Sequence, residues 1–222
     1  MESHALKLIA IDQVTHDVKR FRLEKPSGYR FSPGQATELA VDKPGWENER
    51  RPFTFTCLNE DPFLEFTIKR YADHKSVTDQ LHQLVVGDKV IIHDVWGAIG
   101  YKGPGYFIAG GAGITPFVAI FRQLHRDGAI GENTLYFSNK TAADIIYHDE
   151  FKNILGNNAH FILTREQRPD YTTSRIDKKF LQQQALDTSR HFYVCGPDQM
   201  VQEVSSLLSE IGASSESVVF EK

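Results

Sequence analysis

Gly110-Gly111-Ala112-Gly113-Ile114-Thr115-Pro116 directly follows a short apolar run at 106–109 and directly opens a helix. Glycine lets a backbone turn sharply and approach a ligand with no Cβ in the way. The helix start then offers unbonded N–H groups and a positive dipole end to an anion. Thr115 is a candidate N-cap, and Pro116 suits the first helical position. These are the mechanics of a pyrophosphate site at the end of a strand. The stretch lacks the Gly-Lys-Ser/Thr of a Walker A loop and does not match GxGxxG. The plainer alternative is a tight strand-to-helix connection.

Downstream of this stretch, strands and helices alternate. Strands are expected at 134–138, 159–164 and 191–195, and helices near 149–155, at 177–184 and at 197–211. Such alternation argues for a parallel sheet with covering helices. Upstream the pattern is different. Short β-branched and apolar runs at 5–11, 14–23, 36–41, 53–58, 63–71 and 89–95 read as strands broken by polar turns. One helix interrupts them, with Leu81, Leu84 and Val85 at helical spacing and Gly87 ending it. Six strands with one helix suggest an antiparallel barrel or sandwich. The expected architecture is therefore two domains. An antiparallel β-barrel covers 1–102, and a parallel-sheet α/β domain covers 103–222.

Composition narrows the classes. The chain has 222 residues, 25 Lys+Arg and 29 Asp+Glu, for a net charge of −4. The charge is even along the chain, so a phosphate-gripping nucleic-acid binder is not expected. Two cysteines, Cys57 and Cys195, are too few for an iron–sulfur cluster or a cysteine-rich zinc site. No metal site is expected, and the cysteine usage fits a cytoplasmic protein. No apolar run reaches the roughly 20 residues of a membrane helix. The first 14 residues do not read as a signal peptide. GxSxG and HExxH are absent, which removes the common serine hydrolase and metalloprotease readings.

Two further stretches carry chemistry. Arg50-Arg51-Pro52-Phe53-Thr54-Phe55-Thr56 puts an Arg, an aromatic and a hydroxyl on one presumed strand. Strict alternation would set Arg51, Phe53 and Phe55 on one face and Pro52, Thr54 and Thr56 on the other. It reads as contact with a flat, phosphate-bearing ligand, or as a half-buried strand with Arg at its mouth. Cys195-Gly196-Pro197-Asp198-Gln199-Met200 is a strand end, a turn and a helix start. The thiol there is either reactive or a small buried hydrophobe.

In their order and spacing these segments resemble the ferredoxin–NADP reductase superfamily. The likeness is to short flavodoxin/ferredoxin reductase-like members without an iron–sulfur domain, and it covers nearly the whole chain. It implies that the barrel binds FAD and that the α/β domain binds NAD(P)H. Arg51 would pair with a flavin phosphate, Phe53 would lie against the isoalloxazine, and Thr54 would hydrogen-bond the flavin N5 edge. Ile68-Lys69-Arg70-Tyr71 matches the strand bordering the flavin tail. Val77 and Thr78 match the helix start that meets the flavin pyrophosphate, although Asp73-His74-Lys75 replaces the Gly-rich approach. Gly110, Gly111, Gly113 and Thr115 would hold the nicotinamide coenzyme's pyrophosphate. Cys195, with Gly196 and Pro197, would sit beside the nicotinamide. Glu221 matches the family's C-terminal acidic residue, which orders the site. The sequence ends before the family's terminal aromatic, so the outer flavin face is open or is covered by Phe220.

Coenzyme preference is electrostatic, since a 2′-phosphate wants cations and hydroxyls whereas a free ribose diol prefers a carboxylate. Lys140 follows one strand, and Thr164 and Arg165 follow the next, with Arg175 beyond. NADPH is therefore expected, with NADH as the alternative. The expected acceptor is ferredoxin or flavodoxin, recognised through a basic rim of Lys19, Arg20, Arg22, Arg50, Lys69, Arg70 and Lys75. Those cations could equally be solvated strand faces. A small acceptor (flavin, quinone or ferric chelate) or an oxygenase is the other enzymatic reading. A non-catalytic nucleotide-binding module on the same fold is the rival of a different class.

Overall fold

Leu6 and Leu8, Phe21 and Leu23, Leu39 and Val41, Leu64, Phe66 and Ile68, and Val90 and Ile92 recur every second residue along their strands and are all buried in one core. That period of two lets a strand bury one face and leave the other wet. The structure, a computed structural model, describes residues 3–71, 76–97 and 99–220. The expectations for Asp73, His74, Lys75 and Glu221 lie outside the described residues.

The first half runs β1 (His4–Thr15), β2 (Val18–Glu24), β3 (Ala36–Val41), β4 (Arg51–Thr54), β5 (Phe63–Lys69), α1 (Val77–His82) and β6 (Lys89–Trp96). Its sheet order is β4-β3-β6-β1-β2-β5, and every pairing is antiparallel. Phe55 bridges Phe66, and the Thr56 N–H donates to the Glu65 carbonyl at 2.9 Å. These bonds tie the chain after β4 to β5, so the two edges close into a barrel.

The second half runs β7 (Gly105–Gly110), α2 (Thr115–Arg126), β8 (Thr134–Asn139), α3 (His148–Leu155), β9 (Ala159–Leu163), β10 (Thr172–Thr173), α4 (Lys178–Gln183), β11 (His191–Cys195), α5 (Asp198–Glu210) and β12 (Val218–Phe220). The sheet is parallel, in order β10-β9-β8-β7-β11-β12. Phe107, Leu135 and Phe137 pack on α2 and α3 on one face. Ile108, Tyr136, Phe192 and Val194 pack against α4 and α5 on the other. The chain steps outward from β7 to β10 and then returns to β11 on the opposite side of β7. The strand order therefore reverses between β7 and β11, the place where open α/β sheets bind ligands.

Several local readings are corrected. The 14–23 segment is two strands, broken at His16 and Asp17 by a turn with no Gly or Pro. Val85 is 63% exposed and lies beyond α1, so it is not on that helix's packed face. Thr115 is not an N-cap: its hydroxyl donates to the Ala112 carbonyl at 3.0 Å, because residues 111–114 already form a 3-10 turn leading into α2. The cap of α1 is Ser76, whose Oγ accepts from the Asp79 N–H.

A buried ionic cluster joins the halves. Glu65 of β5, 1% exposed, meets Arg122 of α2 at 2.7 Å and Arg22 at 2.9 Å. Arg122 also forks onto Glu150 of α3 at 2.6 and 2.9 Å and donates to the Thr56 carbonyl at 2.7 Å. Burial opposes the charge on Glu65, but Arg122, Arg22 and Arg20 more than offset it and hold the carboxyl below its ordinary range. Beside the cluster, Tyr147 sits in the left-handed region with φ 55° and shares a 2.7 Å hydrogen bond with the Thr67 hydroxyl of β5. A non-glycine residue in this conformation costs about 1–3 kcal/mol, and its surroundings must hold it there.

Candidate active site

The end of β7 is shaped by two glycines. Gly111 has φ +53°, which L side chains rarely adopt. A Cβ on Gly113 would strike the backbone of Cys195 and Gly196, so this glycine is what allows the 3-10 turn to lie against the end of β11. Two segments far apart in sequence thereby meet at the strand-order reversal.

Above them lies a cavity of about 550 Å3. Its floor is Gly110, Gly111, Ala112, Gly113 and Thr115, with Cys195, Gly196, Pro197 and Met200 on one side. Ser138, Asn139, Lys140, Asp144 and Thr164 form the other side, and Lys69 and Tyr71 of the barrel half face it. A second cavity of about 210 Å3 is lined by Pro52, Phe53, Thr54, Thr67, Ile68, Lys69, Tyr71, Thr78, Ala112 and Thr115. The two share Lys69, Tyr71, Ala112 and Thr115. The smaller volume suits part of a ring system rather than a whole dinucleotide, since complete ligand sites run roughly 300–1,000 Å3.

Most expected site residues converge here, with exceptions. Phe53 and Thr54 line the same cavity, so the strict alternation expected for that strand fails; β4 ends at Thr54, and Phe55 turns into the core, stacked on Phe31 at 4.1 Å. Arg51 is exposed and donates to the Arg50 carbonyl at 2.6 Å. The Val77 side chain is in the barrel core, which leaves only its backbone to face a ligand. Thr78 lines the smaller cavity. Arg165 is exposed, and its N–H donates to the Lys140 carbonyl at 2.9 Å. Arg175 lines a separate hollow with Gln202, Glu203 and Ser206, so the grouping of Arg175 with Lys140 and Thr164 is not formed. Cys195 is 6% exposed at the cavity wall. Cys57 is remote from it, in the barrel core, where burial pushes its thiol up to about 12.

Ser138, Asn139, Asp144 and Met200 were not anticipated. Ser138 and Asn139 could have been found from the rule that ligands lie at carboxyl ends of parallel strands. Asp144 sits in a capping box with Thr141, a Thr-x-x-Asp spacing that signals a helix start but not a ligand. His16, Asp17 and Asp144 come within 4.8 Å of one another, but Lys69 holds Asp17 and Thr141 holds Asp144.

The expected basic rim is largely neutralised. Arg20 pairs with Asp12 at 2.8 Å, Arg22 with Glu65, Lys69 with Asp17 at 2.9 Å and Arg70 with Asp79 at 2.8 Å. Lys19 donates to the His82 carbonyl, and Arg50 faces Glu38 at 3.8 Å. No helix among the described residues is long and apolar enough to cross a membrane.

Comparison with known proteins agrees with this geometry. Residues 5–101 match the oxidoreductase FAD-binding domain, and residues 107–206 match the oxidoreductase NAD-binding domain. The chain belongs to the ferredoxin–NADP reductase superfamily, with FAD and NAD(P) as the cofactors of its two halves. It is 30% identical to NADH-cytochrome b5 reductase 2 of Coccidioides immitis, over 90% of this chain and 67% of that protein. It is 27% identical to the reductase component of propane 2-monooxygenase from Rhodococcus jostii, over 97% of this chain but 62% of that protein. The FAD/NAD-binding domain of nitric oxide dioxygenase from Vibrio cholerae superposes with a TM-score of 0.88, at 20% identity, over 100% of this chain and 98% of that one.

Proposed function

We propose that the protein oxidises NAD(P)H, passes the hydride to bound FAD, and delivers electrons onward to a redox partner. The observation that carries this reading is the pair of cavities with common walls at the strand-order reversal. FAD and NAD(P)H, when bound, supply the hydride transfer and the release of electrons. The chain supplies position. The N–H groups of the 3-10 turn at Gly111 and Gly113 would hold the coenzyme pyrophosphate at the positive end of α2. Thr54 would donate to the flavin edge, while Phe53 and Ile68 would pack on the ring. Cys195 would border the pyridine ring, and Lys69 and Tyr71, common to both cavities, would help position the two cofactors relative to each other. Arg51, exposed beside the smaller cavity's strand, would reach a flavin phosphate.

Lys140 and Thr164 on the cavity rim, with Arg165 next in the chain, support a 2′-phosphate and hence NADPH over NADH. For the acceptor, the internal pairing of the barrel cations weakens the case for strongly acidic ferredoxin or flavodoxin. The kinship with oxygenase reductase components supports an oxygenase partner instead. Anaerobic titration tests the core of the proposal. The purified protein should carry FAD, and NADPH should bleach it in a stoichiometric step. A protein that takes up no FAD, or holds FAD that neither NADPH nor NADH reduces, overturns it.

A further inference from the structure

Asn139 ends β8, is 5% exposed and lines the larger cavity, with its amide just behind the wall. Both of its amide atoms, Oδ1 and Nδ2, lack any hydrogen-bond partner among the described residues. Buried amides are nearly always bonded, because stranding one carries the full desolvation penalty. The backbone around it is satisfied: the Asn139 carbonyl accepts from the Thr164 N–H at 2.9 Å. The orphaned pair is therefore confined to the side chain that borders the cavity.

The geometry points to Asn139 as a coenzyme-binding residue, its amide completed by a ligand group that both donates and accepts. A pyrophosphate only accepts, so it would use Nδ2 and leave Oδ1 stranded. The N–H groups at Gly111 and Gly113 already serve an anion better. A primary carboxamide or a ribose hydroxyl satisfies both amide atoms at once, and NAD(P)H carries both groups. This inference rests on the coenzyme reading above and names the residue that recognises a part of the molecule other than its phosphates. A protein retains an unsatisfied buried amide at a stability penalty when the bound ligand recovers it.

The test is Asn139→Leu, which keeps the branching and heavy-atom count of the side chain and removes both stranded polar atoms. NADP+, NAD+ and the matching ADP-ribose, which lacks the nicotinamide, are titrated calorimetrically into wild type and variant, and thermal midpoints are measured without coenzyme. Expected is a midpoint equal to or above wild type together with coenzyme binding weakened about tenfold or more, the scale of one or two lost hydrogen bonds. Equal weakening toward ADP-ribose assigns the ribose, and weakening confined to the intact coenzyme assigns the carboxamide. Asn139→Ala, which only shortens the side chain, should weaken binding likewise and provides the reading if the leucine variant does not fold. A lowered midpoint in Asn139→Leu, or unchanged binding in both variants, overturns the assignment. Wild type that binds no coenzyme overturns the functional reading instead, so the two failures are distinguishable.

Discussion

Replacing Arg122 by Met keeps the aliphatic stem and deletes the charge that joins the two halves. Its loss leaves Glu65 with Arg22 at 2.9 Å and the Thr56 hydroxyl at 3.0 Å, while Glu150, 30% exposed, can rehydrate. Removing one partner of a buried pair costs about 3–5 kcal/mol. Because Glu65 keeps two of its bonds, the lower end applies, about 3 kcal/mol. For a chain of this length that lowers the thermal midpoint by roughly 6–12 °C. The effect is also pH-dependent, with a definite sign. The folded-state value of Glu65 is depressed, so its stabilisation is complete above the unfolded value of about 4.3 and is lost as pH falls through the folded value. Wild type should therefore lose more of its midpoint than Arg122→Met does as pH is lowered from 7 through the unfolded value and on through the folded one. Adding Glu65→Leu to Arg122→Met should recover much of the loss, since no stranded carboxylate remains. Circular dichroism melts across that pH range read all of this. A single variant within 2 °C of wild type at pH 7, or a double variant less stable than the single, refutes the account.

Gly113→Ala should disrupt the approach of the 3-10 turn to Cys195 and reduce coenzyme binding as well as stability; an unchanged melt with unchanged titration would contradict the close-approach argument. Cys195→Ala should slow flavin reduction by NADPH, measured by stopped-flow absorbance, with FAD content unaltered, and an unchanged reductive half-reaction would dismiss its positioning role. Lys140→Gln should weaken NADPH more than NADH by about tenfold or less, as befits an exposed cation; equal losses for both coenzymes would remove the 2′-phosphate assignment.

What was legible before folding depended on how local each signal is. The Gly110–Gly113 turn and Cys195-Gly196-Pro197 are punctuated by residues with few conformational options, so both could be read in place. The β1–β2 turn could not, because His16 and Asp17 form it without glycine or proline. Thr115 looked like a cap since Thr-Pro suits one, yet the glycine run was flexible enough to start the helical path four residues earlier. The Glu65–Arg122 contact spans residues that no periodicity connects, and a lone glutamate in a strand reads as a wet face. Asn139 escaped notice for a related reason. Its significance lies in the partners it lacks, and only a packed structure reveals a missing partner. Arg175 follows the Thr164-Arg165 segment in sequence and reads as one of its cationic group, but the path after β9 carries it to the α4–α5 side of the sheet.

The Tyr193 hydroxyl accepts from the N–H groups of Lys102 and Gly103 at 2.9 and 3.1 Å and donates to the Gly103 carbonyl at 2.8 Å. Tyr193 belongs to β11, two residues before Cys195. The crossing from barrel to α/β half is thus stitched to the strand that bears the thiol, so spacers added there would drag on the wall of the larger cavity. Exposed turns such as the one at Gly128 carry no such tether. They are the natural attachment points for additional modules in an architecture whose relative from Rhodococcus jostii is substantially longer.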